Sequence, residues 1–186
     1  MKRSFDFSLA ILVLIIFACP ILILAVAVKV TSTGSILFWS DRVGRRNKIF
    51  RMPKFRTMNI NTPVVATHLL KDARSQFTPI GGFLRRSSLD ELPQLWSILA
   101  GDMSFVGPRP ALFNQSDLIA CRVEYGVDDL VPGLTGWAQV NGRDQLSISE
   151  KVDLDVEYLN CRTFAFDIKI IWITFVKVVR SDGVSH

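Results

Sequence analysis

Two carboxylates stand side by side at Asp90-Glu91, within one turn of Arg85-Arg86 and just ahead of an apolar helical pattern. Arginines, adjacent carboxylates and a helix start together suit a diphosphate and its metal. Guanidinium groups take phosphate oxygens in forks, helix starts favour anions, and carboxylates hold Mg2+ beside a phosphorylated substrate. A plainer reading stands beside this one. Ser88 and Glu91 spell a capping box, S-x-x-E, in which the acids only complement the helix dipole. Arg109 lies in Gly107-Pro108-Arg109-Pro110, close after Asp102. Two prolines restrict the backbone around it, which suits an ordered guanidinium for phosphate, or simply a structural turn. A third block runs Pro132-Gly-Leu-Thr-Gly-Trp-Ala-Gln-Val-Asn-Gly-Arg143. If extended, it alternates Gln139, Asn141 and Arg143 onto one side, where they would grip a nucleotide or sugar. A packed loop would use its glycines equally well.

Other chemistries lack their residues. No Gly-x-x-x-x-Gly-Lys or Gly-x-Gly-x-x-Gly occurs, so neither phosphate-loop motif is present. His68 and His186 have no partners at triad or zinc spacing. Cys19, Cys121 and Cys161 form no close pair, which excludes a disulfide scaffold.

The elements that must position these groups follow from periodicity. Thr31–Phe38, punctuated by Gly34, reads as a turn and a strand, and Lys48–Met52 as a second strand after a turn at Val43–Asn47. Asn59–Thr67 reads as loop, with a short amphipathic helix around Leu69–Arg74. Leu92–Leu99 is predicted helical, with Leu92, Leu95, Trp96 and Leu99 on one face. Gly101–Pro110 and Pro132–Arg143 are ordered turns, and Ser149–Asn160 is an acidic amphipathic helix. Phe164–Val179 surrounds a polar stripe of Asp167, Lys169, Lys177 and Arg180. It reads as a helix lying in a headgroup plane, or as a core helix of the globular part.

The chain has 186 residues, 49% of them hydrophobic and 21% charged. That excludes disorder and allows one domain plus an anchor. The net charge of +5 is unevenly spread. Residues 1–56 hold ten basic and two acidic residues, or +8, and the remainder is −3. A basic cluster attracts anionic headgroups at about 1 kcal/mol per residue and also attracts nucleic acid. The apolar run from Phe7 to Val28, interrupted only by Ser8 and Pro20, decides for lipid and against nucleic acid.

As a helix this run is about 33 Å long, enough for a bilayer core of about 30 Å. Three readings compete: a signal peptide, with Lys2-Arg3 before it and Ala25-Val26-Ala27 as a cleavage site; a spanning helix; and a re-entrant helix broken at Cys19-Pro20. Proline removes a donor and clashes with the preceding turn, leaving arms of about 20 and 12 Å, too short to span alone. Re-entry lets Lys2-Arg3 and the Lys29–Arg56 cluster meet one cytoplasmic face, and the charge distribution favours it.

At this point the chain resembles a known family, the bacterial sugar transferases of the monotopic phosphoglycosyl transferase superfamily. The resemblance rests on Lys2-Arg3-x-x-Asp6, Lys54-Phe-Arg-Thr-Met58, Arg85 through Leu95 with Leu89-Asp-Glu-Leu-Pro-Gln-Leu95, and Gly101-Asp-Met-Ser-Phe-Val-Gly-Pro-Arg-Pro110. It continues through the Pro132–Arg143 block, Asp155-x-x-Tyr158 and Ser181-Asp-Gly-Val-Ser185. It implies transfer of a sugar-1-phosphate from a UDP-sugar to polyprenyl (undecaprenyl) phosphate, with release of UMP, as the first membrane step of glycan assembly. It assigns Asp90 as a nucleophile forming a covalent phosphosugar intermediate and Glu91 as its dyad partner. Mg2+ would sit on Asp90, and Arg85 and Arg109 on the phosphates. Lys54, Arg56, Gln139, Asn141 and Arg143 are further candidates for nucleotide or sugar.

The family's Ser-Pro helix break is Cys19-Pro20 here, and Asp144 stands where the family has Asn. The resemblance also implies a place on the cytoplasmic face of the bacterial inner membrane, with downstream glycosyltransferases as partners. The expected fold is α+β and mostly helical. Residues 1–30 form a re-entrant membrane helix, and residues 31–186 form a small cytoplasmic-face catalytic domain with interfacial amphipathic helices. The rival from another class is a membrane-anchored binding module, whose binding would be salt-sensitive and indifferent to Asp90 and Glu91.

Overall fold

In the computed structural model, which describes residues 1–63, 75–142 and 145–180, the apolar run becomes one helix, α1, Lys2–Thr31. Its thirty residues span about 45 Å, and it is long and apolar enough to cross a membrane. It stays helical through Cys19 and Pro20, so the expected break is not an interruption of the helix. Proline deletes a single donor, and the apolar residues around it keep the rest of the ladder. The helix expected around Leu69–Arg74, Arg143, Asp144 and the Ser181–Ser185 block lie outside the described residues.

Both ends of α1 are fastened to the globular body. At the start, Arg3 donates to the carbonyls of Ile98 and Leu99 at 2.5 and 2.8 Å. The buried carboxylate of Asp6 accepts from Ser104 Oγ and the Phe105 amide. Lys2 pairs with buried Asp167 at 2.5 Å. Toward the other end, Leu24 and Val28 are buried in an apolar cluster with Phe55 and Leu84. Between the two, Leu12, Ile15, Ile16, Leu22 and Ile23 are exposed.

A hairpin follows. Strand β1, Leu37–Val43, pairs antiparallel with β2, Ile49–Phe55, from Leu37↔Phe55 to Val43↔Ile49. The turn at Arg45–Asn47 puts Arg46 and Asn47 in the left-handed region. The turn and strand expected over Thr31–Phe38 are shifted: α1 takes Thr31, and the strand starts only at Leu37 and runs on to Val43. The second extends beyond Met52 to Phe55. Helix α2, Gly81–Arg86, leads to a 3-10 turn at Leu89–Gln94 and then α3, Leu95–Ala100. The single helix expected over Leu92–Leu99 is therefore split. Pro93 withholds a backbone donor inside it, and Trp96 turns outward while Leu95 and Ile98 are buried.

Strand β3, Ser104–Val106, runs parallel to β4, Gly133–Thr135. Their approach is too close for side chains: a Cβ on Gly133 would lie 2.1 Å from the Gly107 nitrogen, and one on Gly107 2.3 Å from the Val131 carbonyl. Helix α4, Ser116–Glu124, and the short α5, Trp137–Val140, precede α6, Ile148–Cys161. A capping box at Ser147 and Glu150 starts α6. Finally α7, Phe164–Arg180, reverses the expected use of its stripe. Asp167 is buried against Lys2 and Tyr158, and Lys177 donates to the Val140 carbonyl. Phe164, Ile168, Trp172 and Phe175, at helical spacing, face outward. The fold is mostly helical α+β with two small two-stranded sheets among the described residues.

Candidate active site

Asp90 and Glu91 lie in the first turn of the 3-10 segment, after Ser88 in the left-handed conformation. That conformation replaces the expected capping box. No side chain caps the segment; the Glu91 amide donates instead to the Ser88 carbonyl at 3.2 Å. The segment is a six-residue 3-10 turn, so the positive charge around the dyad comes from side chains and not from a long helix dipole.

Lys54 supplies the first of it. On β2 it shares a face with Phe50 and Met52 by the period of two, which turns its amine inward. Lys54 Nζ donates to Glu91 Oε1 at 2.7 Å and stands 4.0 Å from Asp90 Oδ2. Arg109 Nη2 donates to the same Glu91 oxygen at 3.0 Å. Arg85 Nε is held by Thr57 Oγ1 at 2.9 Å, its guanidinium over the Phe77 ring. Arg42, on β1, bonds Ser40 Oγ and the Pro110 carbonyl, close enough for its charge to oppose Arg109 and attract Glu91.

Four cations thus surround two carboxylates, a surplus of positive charge suited to an incoming diphosphate. Burial pushes the Asp90 carboxyl above its ordinary value; Lys54 pulls the other way, and the Glu91 charge adds to the rise. Burial pulls the Lys54 amine below its ordinary value against both carboxylates. Burial first, and then Arg109, push Arg42 down to about 10, so it stays cationic at neutral pH. Glu91 is committed to Lys54 and Arg109, whereas Asp90 accepts no hydrogen bond among the described residues.

Not every sequence candidate gathers here. Arg56 is spent on Ser35, donating to its carbonyl and hydroxyl at 2.8 Å. Gln139 and Asn141 do not alternate along a strand, because this stretch is the short helix α5. Their amides donate to the carbonyls of Leu134 and Trp137. Asp102 is exposed. Sequence reasoning missed Arg42, which it assigned to lipid and which nothing in its local sequence marks, and Thr57, which it quoted only as part of the Lys54–Met58 block.

Beside the dyad lies an open apolar groove of about 530 Å3, walled by Leu14 and Ile21 of α1, Leu37, Phe55, Leu92 and Trp96. Leu92, in the groove wall, follows Glu91 directly, whereas Phe55 lies on the face of β2 opposite to Lys54. Among the described residues no three His, Cys, Asp or Glu side chains gather as a metal cage. The set fits Mg2+ in its usual manner with phosphates, through one carboxylate plus substrate oxygens: Asp90 has unused lone pairs.

A family model described as bacterial sugar transferase matches residues 1–181. The chain belongs to the bacterial sugar transferase family. This agrees with the resemblance drawn from the motifs. Among its relatives is the UDP-glucose:undecaprenyl-phosphate glucose-1-phosphate transferase of Escherichia coli (strain K12), 40% identical over 95% of this chain and 40% of that protein. The sugar transferase EpsL of Bacillus subtilis (strain 168) is 37% identical over all of this chain and 91% of its own length. The undecaprenyl-phosphate galactose phosphotransferase of Salmonella typhimurium is 36% identical over 98% of this chain and 41% of that protein. The chain therefore spans about two fifths of the length of these enterobacterial relatives and nearly all of the Bacillus one.

Proposed function

We propose that this protein transfers a sugar-1-phosphate from a UDP-sugar to a polyprenyl phosphate, and that Asp90 is the nucleophile. The observation that carries this reading is the buried Asp90-Glu91 pair, ringed by Lys54, Arg85, Arg109 and Arg42 beside an apolar groove. A charged cluster suits the donor diphosphate, and a groove suits an isoprenoid tail. The names of the relatives from Escherichia coli and Salmonella supply the substrate classes.

In the first half-reaction an Asp90 oxygen attacks the β-phosphorus. The bond from that phosphorus to the bridging oxygen breaks, UMP leaves with its electron pair, and an aspartyl phosphosugar remains. In the second half-reaction a phosphate oxygen of the acceptor attacks the same phosphorus and the carboxylate leaves, giving a polyprenyl diphosphate sugar. Burial, with no hydrogen bond among the described residues, keeps the Asp90 carboxylate poorly solvated, which strengthens a weak nucleophile. Lys54 and Arg109 hold Glu91 in place and, with Arg85, face the charge that develops on the phosphates. When bound through Asp90 and diphosphate oxygens, Mg2+ would neutralise phosphate charge.

The reading extends to location. The fastening of both ends of α1 to one body, the exposed middle of α1 and the outward apolar face of α7 support a monotopic enzyme on the cytoplasmic face of the inner membrane. Downstream glycosyltransferases would then take the lipid-linked product. The test is release of UMP from a panel of UDP-sugars with undecaprenyl phosphate. Acceptor-dependent UMP from at least one sugar is the expected result, and no UMP from any of them would overturn the reading.

A further inference from the structure

Arg109 owes its position to a loop that cannot hold itself. Pro108 and Pro110 have no amide hydrogen, so the segment around Arg109 is anchored largely through its carbonyls. Four consecutive carbonyls are each taken by a different donor. Pro108 O accepts from the Gly133 amide at 2.9 Å and Ala111 O from the Val43 amide at 2.9 Å. Between them, Arg109 O accepts from Arg122 Nη1 at 2.8 Å, and Pro110 O accepts from Arg42 Nη1 at 3.2 Å.

The outer two anchors are backbone, fixed by the sheet pairings on either side. The inner two are guanidinium groups from α4 and β1, each held in turn from behind. Arg122 Nε and Nη2 both reach Asp155 Oδ2 on α6, at 3.0 and 2.7 Å, and Asp155 is almost wholly buried. Arg42 Nε is fixed on the buried Ser40 hydroxyl. An arginine fork can hold a carboxylate and a carbonyl at once; a lysine cannot hold both in fixed geometry.

We infer that Arg122, braced by Asp155, and Arg42 are positioning residues that set Arg109 for the reaction: they clamp the carbonyls on which its main chain hangs, and so fix where its guanidinium meets Glu91 and the donor diphosphate. This rests on the transferase reading above. Neither clamp arginine needs to touch substrate, and misplacing Arg109 by about 1 Å is enough to cost roughly 10²-fold.

The experiment is a double-mutant cycle on the full chain in membranes, combined with hydrogen exchange. Arg122→Ala is expected to lower kcat about 10- to 100-fold with a smaller change in the KM for UDP-sugar, and Arg122→Lys to restore little of it. Introduced into Arg109→Ala, the same change is expected to cost less than about twofold further, because the effect passes through Arg109. Full multiplication of the two effects, or wild-type kcat in folded Arg122→Ala, would overturn the clamp. Should Arg122→Ala not fold, Asp155→Asn reads the same cycle.

Exchange in the peptide covering residues 107–112 is expected to speed up in Arg122→Ala. Unchanged exchange there would sink the clamp whatever the activity. Full activity in Arg109→Ala would instead overturn the role of Arg109, and the clamp with it. Absence of UMP from the wild type, with faster exchange in the variant, would leave the loop clamp standing and remove the transferase reading.

Discussion

At the scale of single residues, the pair Asp90-Glu91 divides its labour by environment. Glu91 is neutralised by two cations, while Asp90 is buried, lacks a hydrogen bond among the described residues and has its carboxyl pushed upward. A folded-state value raised in this way favours the protonated form. Its contribution to stability is present below the ordinary carboxylate range and lost as pH rises through the raised value, so at neutral pH the ionised Asp90 is a net cost. Asp90→Asn is therefore expected to raise the melting temperature, by about 2–4 °C for each kcal/mol relieved, while lowering kcat roughly 10⁴-fold or more. Calorimetry beside the UMP assay checks both, and a less stable Asn variant would contradict the burial argument.

The same shifts set the pH profile of kcat/KM. The acid limb, from Asp90, is expected above the ordinary carboxylate value of 3.8, and the alkaline limb, from Lys54, below the ordinary amine value of 10.5. An acid limb at or below 3.8 in a titration of UMP release would rule out Asp90 as the group observed. The dyad itself was legible in the sequence, because adjacent acids beside arginines are a local signal. Arg42 was not, since only the fold carries a strand residue from the basic region to the back of the site. The capping-box reading failed for a local reason: left-handed Ser88 turns its side chain's role over to its carbonyl.

Among the elements, the long amphipathic helices were legible and the short ones were not. The helix at Ser149–Asn160 appears as Ile148–Cys161, and Phe164–Val179 as Phe164–Arg180, since fourteen residues or more average out local noise. The 3-10 segment and α5 are six and four residues long, too short for periodicity to speak, and tertiary contacts decide them. The box at Ser147 and Glu150 starts α6, with the Glu150 amide on Ser147 Oγ and the Glu150 carboxylate on the Ser147 amide. Ser147→Ala is expected to cost about 1 kcal/mol, read as a lower midpoint in denaturant with an unchanged slope.

On α7, Asp167 and Lys177 face the body, which leaves Trp172 and Phe175 outward. Replacing both with Glu is expected to lower the fraction of enzyme floating with anionic vesicles while leaving secondary structure intact by circular dichroism. An unchanged floating fraction would remove α7 from the membrane contact.

For the whole molecule, much of the +8 of residues 1–56 is spent on the protein's own groups, buried and at the surface. Lys2, Arg3, Arg42, Lys54 and Arg56 bond protein groups, and Arg46 pairs with Asp129. Lys48 and Arg51 remain outward on the hairpin, Arg51 over the Trp39 ring. Charge counting assigned to lipid several residues, Arg42 and Lys54 among them, that the fold uses on its own groups. The two fastened ends of α1 predict that Cys introduced at Ser4 and at Thr33, both exposed, in a chain lacking Cys19, Cys121 and Cys161, label from the same side of the membrane. Labelling from opposite sides would make α1 a spanning helix.

The central claim is that phosphosugar passes through Asp90, and its most direct measurement is a single turnover with UDP-sugar and no acceptor. The wild type should release UMP in a burst stoichiometric with enzyme and retain label from the sugar on the protein, at the peptide containing Asp90, while Asp90→Asn shows neither. UMP that appears only when polyprenyl phosphate is present, or a burst that survives in Asp90→Asn, would contradict it.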